Sequence, residues 1–500
     1  MIPMPLKHLT YDYNNPVDVL AEYSRSRGNR MFIIDESGRS MTYGEFYDYA
    51  ARLANALGRL GVGYGDRVGI VMSNSIESAA SLFAVWFLGA AAVLIDPLTI
   101  SEDLDYQLTD SSPKVVIADK AVIEREGNVL SKFKVIGVGV SGEGILNLSD
   151  LISTSTAGLK PVSVKGDDVG LIYYYAGIAG RTMQVWHKYA SLYSGPYAFG
   201  EAVGLGNNDV VLVVAQLSHI LGLTEFLSAL VRGSRAIIVK HFDTNDTPGV
   251  IRKYGVTVFA GVPLMFDQLL NNKNLDPRDL SSLKIALSAA APLAPSTQLG
   301  FYQRFNVPLV QFYGLTEAFV LTLQPLQYKD VTGTVGTAIP DVELKIVDPQ
   351  NPARELKTGE VGELAVRAPW VMKGYSDPED TKKAFYGDWL LTGDLMVMDE
   401  RGLLYFRGVK KRMIKYKGYP IFPRDLEIIL MRHPAVKETF VTGEQSEDSS
   451  IGQIPVAYVV VKDEYRGKVS EKELIDFVNS KVAFYKKLRK VYLVDKLPIK

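Results

Sequence analysis

The sequence predicts an α/β protein. It reads as two related subdomains with largely parallel sheets, then a small antiparallel β-subdomain and a compact α+β domain at the carboxyl end. Three observations carry this. A unit of strand, polar turn, apolar helix, glycine and strand occupies residues 66–96, and a similar unit returns at 208–240. Beyond 336 the apolar residues alternate in short runs broken by glycine, which is the pattern of antiparallel strands. Five hundred residues also exceed what one hydrophobic core serves, so two to four domains or subdomains are expected.

Composition narrows the function classes. Apolar residues at 47% and charged residues at 22% describe a soluble globular chain. A net charge of -1 argues against a nucleic-acid partner, whose binding domain would be basic. Cysteine is absent, which removes disulfides, thiolate metal sites and a cysteine nucleophile, and fits the cytoplasm. Residues 1–5 lack a basic region followed by an apolar core, so no signal peptide is expected. Residues 78–95 are uncharged and long enough to cross a bilayer. Gly89 divides them, however, and 93–95 reads as a strand meeting a turn at Asp96-Pro97. A buried helix followed by a buried strand is the expectation, with no membrane span.

Taken in order, Thr42 is a helix N-cap ahead of the stripe Leu53, Leu57 and Leu60. The strand at 169–175 runs into Ala176-Gly177-Ile178-Ala179-Gly180-Arg181, a glycine-bearing turn of the kind that aims backbone N–H groups at phosphate. It lacks the lysine and nearly all the hydroxyls of such a loop: Thr182 stands alone, followed by Met183 and Gln184. A plain connection fits it as well. In the second unit a strand is expected at 210–215 and a helix from about 223 to 231, with His219 at the strand end. A lone histidine beside an apolar run is more often a core residue than a catalyst. A further strand at 285–288 leads into Ala289-Ala290-Ala291-Pro292.

The strand at 307–310 then ends in Gln311-Phe312-Tyr313-Gly314-Leu315-Thr316-Glu317, where Gly314 breaks it with a turn. Tyr313 offers a flat face for a ring, Thr316 a donor to an anionic oxygen, and Glu317 a hard oxygen for a divalent cation. Alone, the stretch reads equally as an ordinary strand-to-helix turn. Further on, Asp394 follows Gly393 and could accept two hydrogen bonds from a ribose diol or merely cap a turn. Residues 408–418 read as a basic linker, and a second basic patch spans 481–490. Both are read as solvated charge or as a clamp for polyphosphate.

The order of these features, across nearly the whole chain, resembles the acyl-adenylate-forming superfamily, and within it acyl-CoA synthetases. The matching stretches are 42–46, 217–222, 311–317, 362–364, Gly374-Tyr375, 389–394, 418–423 with Glu427, and Tyr485-Lys486. The resemblance implies a large N-terminal domain at 1–411, built of two doubly wound α/β subdomains plus a β-subdomain. A mobile C-terminal domain at 412–500 would be hinged at Arg412 and stop short of the family's final glycine-lysine. It implies ATP or AMP, Mg²⁺, CoA and a small carboxylic acid as ligands, and leaves a homodimer open. Tyr313, Gly314, Thr316, Asp394, Gly177 and Gly180 would bind nucleotide, with Glu317 holding Mg²⁺. His219, Phe312, Gly314 and Ala289 would form the acyl pocket, His219 gating it, and Lys415 and Gly418 would face the thioester step. Gly314 leaves room for more than an acetyl group; Phe312 narrows the tunnel.

Departures from the family pattern bear on activity. Ala176, Ile178 and Ala179 replace three hydroxyls, Met183 a lysine, Gln184 a glycine and Val409 an arginine. Each lost donor to a developing phosphate charge costs ~2–4 kcal/mol of barrier, so adenylation is expected to be strongly impaired. Arg181, Arg407 and Lys410 are the residues placed to compensate, Arg407 by sharing the face of Val409 on a strand. Two readings stand: an AMP-forming acid–CoA ligase, or a non-adenylating relative that binds acyl-CoA, acyl-adenylate or nucleotide.

Overall fold

The structure, a computed structural model, describes residues 8–175, 182–326, 331–410, 414–417, 419–421, 423–448 and 450–498. The uncharged stretch at 78–95 forms the helix Ile76–Phe87 and the strand Ala91–Leu94, both buried. Ser75 caps the helix, exchanging hydrogen bonds with Ser78. Among the described residues no helix is long and apolar enough to cross a membrane. Thr42 caps the helix Tyr43–Arg59, and Glu45 returns a hydrogen bond to its backbone, closing a capping box.

The two repeated units lie on two separate sheets. The first sheet has, among the described residues, the spatial order Gly374–Tyr375, Met183–Lys188, Val169–Tyr175, Ala91–Leu94, Arg67–Val71, Val115–Asp119, Val135–Val138 and Ile145–Asn147. From Val169–Tyr175 to Ile145–Asn147 its neighbours are all parallel. The second runs Thr337–Ala338, Phe319–Leu323, Leu309–Leu315, Ile285–Ser288, Val258–Gly261, Val210–Val213, Arg235–Ile238, Met31–Asp35 and Ser40–Thr42. Its last two strands come from the amino end of the chain, which sequence periodicity did not reveal. Asn74, just beyond the carboxyl end of the central strand Arg67–Val71, donates from its side-chain amide to Ala215 O (2.9 Å) and Val239 O (3.1 Å), tying the two sheets together where their strands end. Strand ends facing each other across a junction of parallel sheets form a crevice that suits a ligand.

Antiparallel strands Glu343–Val347, Gly362–Arg367, Trp389–Met398 and Leu404–Val409 build the β-subdomain. The first of the alternating runs beyond 336 is divided: Thr337–Ala338 joins the second large sheet, and Glu343–Val347 the β-subdomain. The basic stretch at 408–418 is not a solvated linker. Its described residues close the strand Leu404–Val409 and form the strand Ile414–Tyr416. Beyond it, Val436–Gln445, Gln453–Val461 and Lys490–Leu493 form a sheet backed by the helices Pro423–Met431 and Glu471–Asn479. This small α+β unit has its own core, from Ile414 and Leu426 to Val478 and Val491. The expected dividing point falls in residues 411–413, and Arg412 with it, outside the described residues.

Candidate active site

Gly314 does not end its strand. The strand Leu309–Leu315 runs through it and turns back, through Thr316 and Glu317, into the antiparallel strand Phe319–Leu323. The turn is therefore a hairpin, not a strand-to-helix connection. A register irregularity falls between Tyr313 and Gly314, and Phe319 sits at φ +50°. A Cβ at Gly314 would lie 2.1 Å from the carbonyl oxygen of Phe319, so glycine is required there by backbone approach. Gly314→Ala is expected to cost about 1–3 kcal/mol by forcing the hairpin apart, read as a lowered thermal midpoint.

The hairpin meets the β-subdomain directly. The Tyr313 hydroxyl donates to Asp394 Oδ2 at 2.6 Å. Asp394 lies within the strand Trp389–Met398, just after Gly393 at φ +73°, and is buried. Burial pushes its carboxyl above the usual range, opposed by Lys415 and by the Tyr313 hydroxyl. Glu363 fixes this corner from below: it accepts from Gly393 N at 3.0 Å and from Lys410 Nζ at 2.7 Å. Lys410 is thus committed to Glu363, although both also line the cavity.

Two side chains that hold the turn at Thr316 and Glu317 escaped sequence reasoning. Tyr375 donates its hydroxyl to Glu317 Oε1 at 2.7 Å; only its place in a Gly-Tyr match hinted at it. Burial pushes the Glu317 carboxyl up to about 7, although the Tyr375 hydroxyl favours the charged form. His187 Nε2 lies 2.7 Å from the carbonyl oxygen of Thr316, so that nitrogen must carry the hydrogen. Burial lowers the His187 imidazole to about 4, which keeps it a neutral donor that pins the turn. No sequence signal marks it, because an alternating strand supplies a histidine to the core as readily as to a site.

These groups border a cavity of about 1100 Å³ where both large sheets, the β-subdomain and the small domain converge. His219, Phe312, Tyr313, Gly314, Thr316, Glu317, Asp394, Val409 and Lys415 all line it. Ala289 does not; its neighbours Ala290, Ala291 and Pro292 do, with Ala290 at φ +68°. His219 is not at the strand end, since that strand stops at Val213; it immediately precedes the helix Ile220–Val231, without a side-chain capping bond. Phe312 packs at 5.1 Å from Phe199. Lys415 is drawn below the usual lysine range by burial, opposed by Asp394. Gly177, Gly180 and Gly418 lie outside the described residues, as does Arg181.

Arg407 does not share the face of Val409. Leu395 pairs with Gly408 and Met396 with Phe406, which leaves Arg407 as the extra residue of a β-bulge. The bulge turns Phe406 and Val409 to the cavity, while Arg407 is exposed beside the Tyr405 ring. The loop at 176–181 is outside the described residues, but its flanks pair as an antiparallel hairpin, Tyr175 opposite Met183. Met183 is buried, and Gln184 is held by Asp110 Oδ2 at 2.7 Å and by Trp186 Nε1 at 2.8 Å. In the basic patch at 481–490, Lys481 and Arg489 lie over the Phe477 and Tyr416 rings, and Lys490 pairs with Glu444. Lys486 is buried between two carboxylates. Those four cations engage groups of the protein itself; Lys487 is the fifth cation of the patch. Among the described residues no cluster of three or more His, Asp or Glu could hold a metal.

The family model for AMP-binding enzymes matches residues 20–376, and that for the AMP-binding enzyme C-terminal domain matches 425–500. The chain belongs to the AMP-binding enzyme family. This AMP-binding enzyme is 32% identical over 491 residues to 4-coumarate–CoA ligase 2 of Oryza sativa subsp. japonica, covering 92% of this chain and 85% of the relative. Its fold matches a long-chain-fatty-acid–CoA ligase from Archaeoglobus fulgidus, with a TM-score of 0.83, 26% identity and 99% of each chain covered. It also matches the amide bond synthetase of Marinactinospora thermotolerans, with a TM-score of 0.85, 24% identity and 97% of each chain covered; at that identity the fold alone is shared. The acyl-CoA synthetase resemblance and the mixed α/β architecture read from the sequence both hold for this AMP-binding enzyme.

Proposed function

We propose that the chain is built as an AMP-forming acid–CoA ligase, joining a carboxylic acid to AMP and then to CoA. The carrying observation is the 2.6 Å bond between Tyr313 and Asp394 on the wall of the central cavity. It puts a flat ring beside a carboxylate able to accept from a ribose diol. Thr316, pinned by His187, would donate to the α-phosphate, and the acid would enter between His219, Phe312 and Gly314. Lys415, near Asp394, would work from the small domain during the thioester step, with the domains dividing at 411/412.

Glu317 belongs to no group of three or more ligating side chains among the described residues, and this suits Mg²⁺, which arrives with phosphates and keeps most of its ligands from them and from water. When bound, that ion would neutralise triphosphate charge. Tyr375 holds Glu317 in place for it.

Adenylation is expected to be weak. Met183 and Gln184 occupy the positions of the family's lysine and glycine as packed hairpin residues, and Val409 faces the cavity where an arginine is usual. These observations also favour the second reading, a non-adenylating binder of acyl-CoA, acyl-adenylate or nucleotide. Acid-dependent ATP–pyrophosphate exchange separates them, run on the unmodified chain and on one with Ala176→Ser, Ile178→Thr, Ala179→Thr, Met183→Lys and Val409→Arg. Exchange that appears only after restoration supports an impaired ligase; robust exchange by the unmodified chain ends the binder reading. Silence in both, with tight acyl-CoA binding by calorimetry, ends the ligase reading.

A further inference from the structure

A bound triphosphate calls for permanent cations, and two residues expected to replace the missing ones are not placed to do so. Arg407 is turned out on its bulge, and Lys410 is held at 2.7 Å by Glu363, whose side chain is 2% exposed. Among the described residues five lysines and no arginine line the cavity: Lys383, Lys410, Lys415, Lys417 and Lys486. Lys486 is buried between Asp103 and Asp425, and burial draws Lys415 below the usual lysine range. Lys417 lies over the Tyr416 ring and, like those two, belongs to the small domain. The histidines on the wall, His219 and His241, are not permanent cations, and His219 is already bonded to Asp96 Oδ2 at 2.7 Å. Lys383 is left.

Lys383 stands on the helix Pro378–Ala384 and borders the cavity with its side chain 67% exposed. It meets Asp380 Oδ1 at 3.2 Å, one turn back on the same helix. A pair with so exposed an ammonium restrains it weakly, and the four-carbon stem leaves it free to swing. The helix itself is anchored beside Glu317. Thr381 Oγ1 accepts from Tyr375 N at 2.9 Å, and the Tyr375 hydroxyl holds Glu317 at 2.7 Å. The same segment flanks the return strand of the glycine-bearing loop: Tyr375 pairs with Val185, and Ser376 N donates to Gln184 O at 3.1 Å. One short element therefore touches both the tyrosine that holds Glu317 and the strand on which Met183, buried and uncharged, stands in the place of the family's lysine.

We propose that Lys383 holds the β- and γ-phosphates of ATP, supplying from a neighbouring helix the charge missing at 183; this inference rests on the ligase reading. The ammonium reaches the outer phosphates and leaves the α-phosphate to Thr316. AMP has no outer phosphates, so Lys383 distinguishes a triphosphate from a monophosphate.

The test is calorimetric binding of ATP and of AMP, each with MgCl₂ and without acid or CoA, so that no turnover is needed. Lys383→Met is expected to weaken ATP binding about 5–10-fold and leave AMP binding unchanged, while Lys383→Arg keeps ATP affinity within about twofold. AMP binding also reports that the variants are folded. Unchanged ATP affinity in Lys383→Met, an equal loss for ATP and AMP, or a loss in Lys383→Arg as large as in Lys383→Met each overturns the proposal and leaves the ligase reading in place. An unmodified chain that binds AMP as tightly as ATP overturns it too. An unmodified chain that binds neither nucleotide overturns the ligase reading, and this inference with it.

Discussion

Replacing Lys486 with methionine is expected to release the small domain from the large one. Its ammonium is buried 3.1 Å from Asp103 Oδ2 of the large domain and 3.2 Å from Asp425 Oδ2 of the small. Burial works against the charge, but the two carboxylates outweigh it and hold the amine well above the usual lysine range. Removing the cation leaves two partly buried carboxylates facing each other across the seam, and breaking such a set costs about 3–5 kcal/mol. Among the described residues, the hydrogen-bonded contacts left across the seam are a 3.0 Å bond from Thr182 Oγ1 to Asp425 Oδ2 and the exposed pair of Arg432 with Glu102, beside the ring contact of Tyr419 with His219. An exposed pair contributes about 0–1 kcal/mol, so it does not hold the domains together. Small-angle scattering should show a larger radius of gyration for the variant, and limited proteolysis should cut faster between 410 and 418. An unchanged scattering profile would show that the docking rests on apolar contact instead.

Glu317→Gln is expected to stabilise the ligand-free protein at pH 8 and leave it unchanged at pH 4. The carboxyl sits at about 7 in the folded chain against an ordinary 4.5. A raised carboxyl contributes stability that is complete below its unfolded value and is lost as pH rises through its folded value. Between about pH 4.5 and 7, native wild-type protein therefore forfeits up to ~3 kcal/mol that glutamine, which cannot ionise, does not forfeit. Glutamine also keeps an acceptor for the Tyr375 hydroxyl, so the bond seen at 2.7 Å has a replacement. Thermal midpoints of both proteins across pH 4–8 check this: the curves should coincide near pH 4, diverge between about pH 4.5 and 7, and stay apart above that. Parallel curves would place the Glu317 titration elsewhere.

Local chemistry was legible in the sequence and long-range pairing was not. Thr42 with Glu45 announces a helix start because a capping box is complete within four residues. The buried helix and strand were readable from the lack of charge at 78–95 and a dividing glycine. The hairpin at 309–323 was misread, because its tight return depends on Phe319 at positive φ, a conformation aromatic residues rarely announce. Alternation along a strand predicted the wrong face for Arg407, because one bulged residue reverses the pattern. At the site, Tyr313 and Asp394 were each readable as candidates, and the structure adds the hydrogen bond between them. Asp96, His187 and Glu363 were invisible, since each acts through a partner tens to hundreds of residues away.

The placement of Met31–Asp35 has a consequence for how the chain is made. Ile33 pairs with Ala236, about 200 residues further along, so this early strand leaves the ribosome long before its neighbour exists. At 5–20 residues per second it waits roughly 10–40 s, time enough for the intervening sheet at 67–188 to assemble. Nascent chains stalled before residue 235 should therefore expose an apolar edge that recruits chaperones, and chains stalled beyond the helix at 263–271 should not.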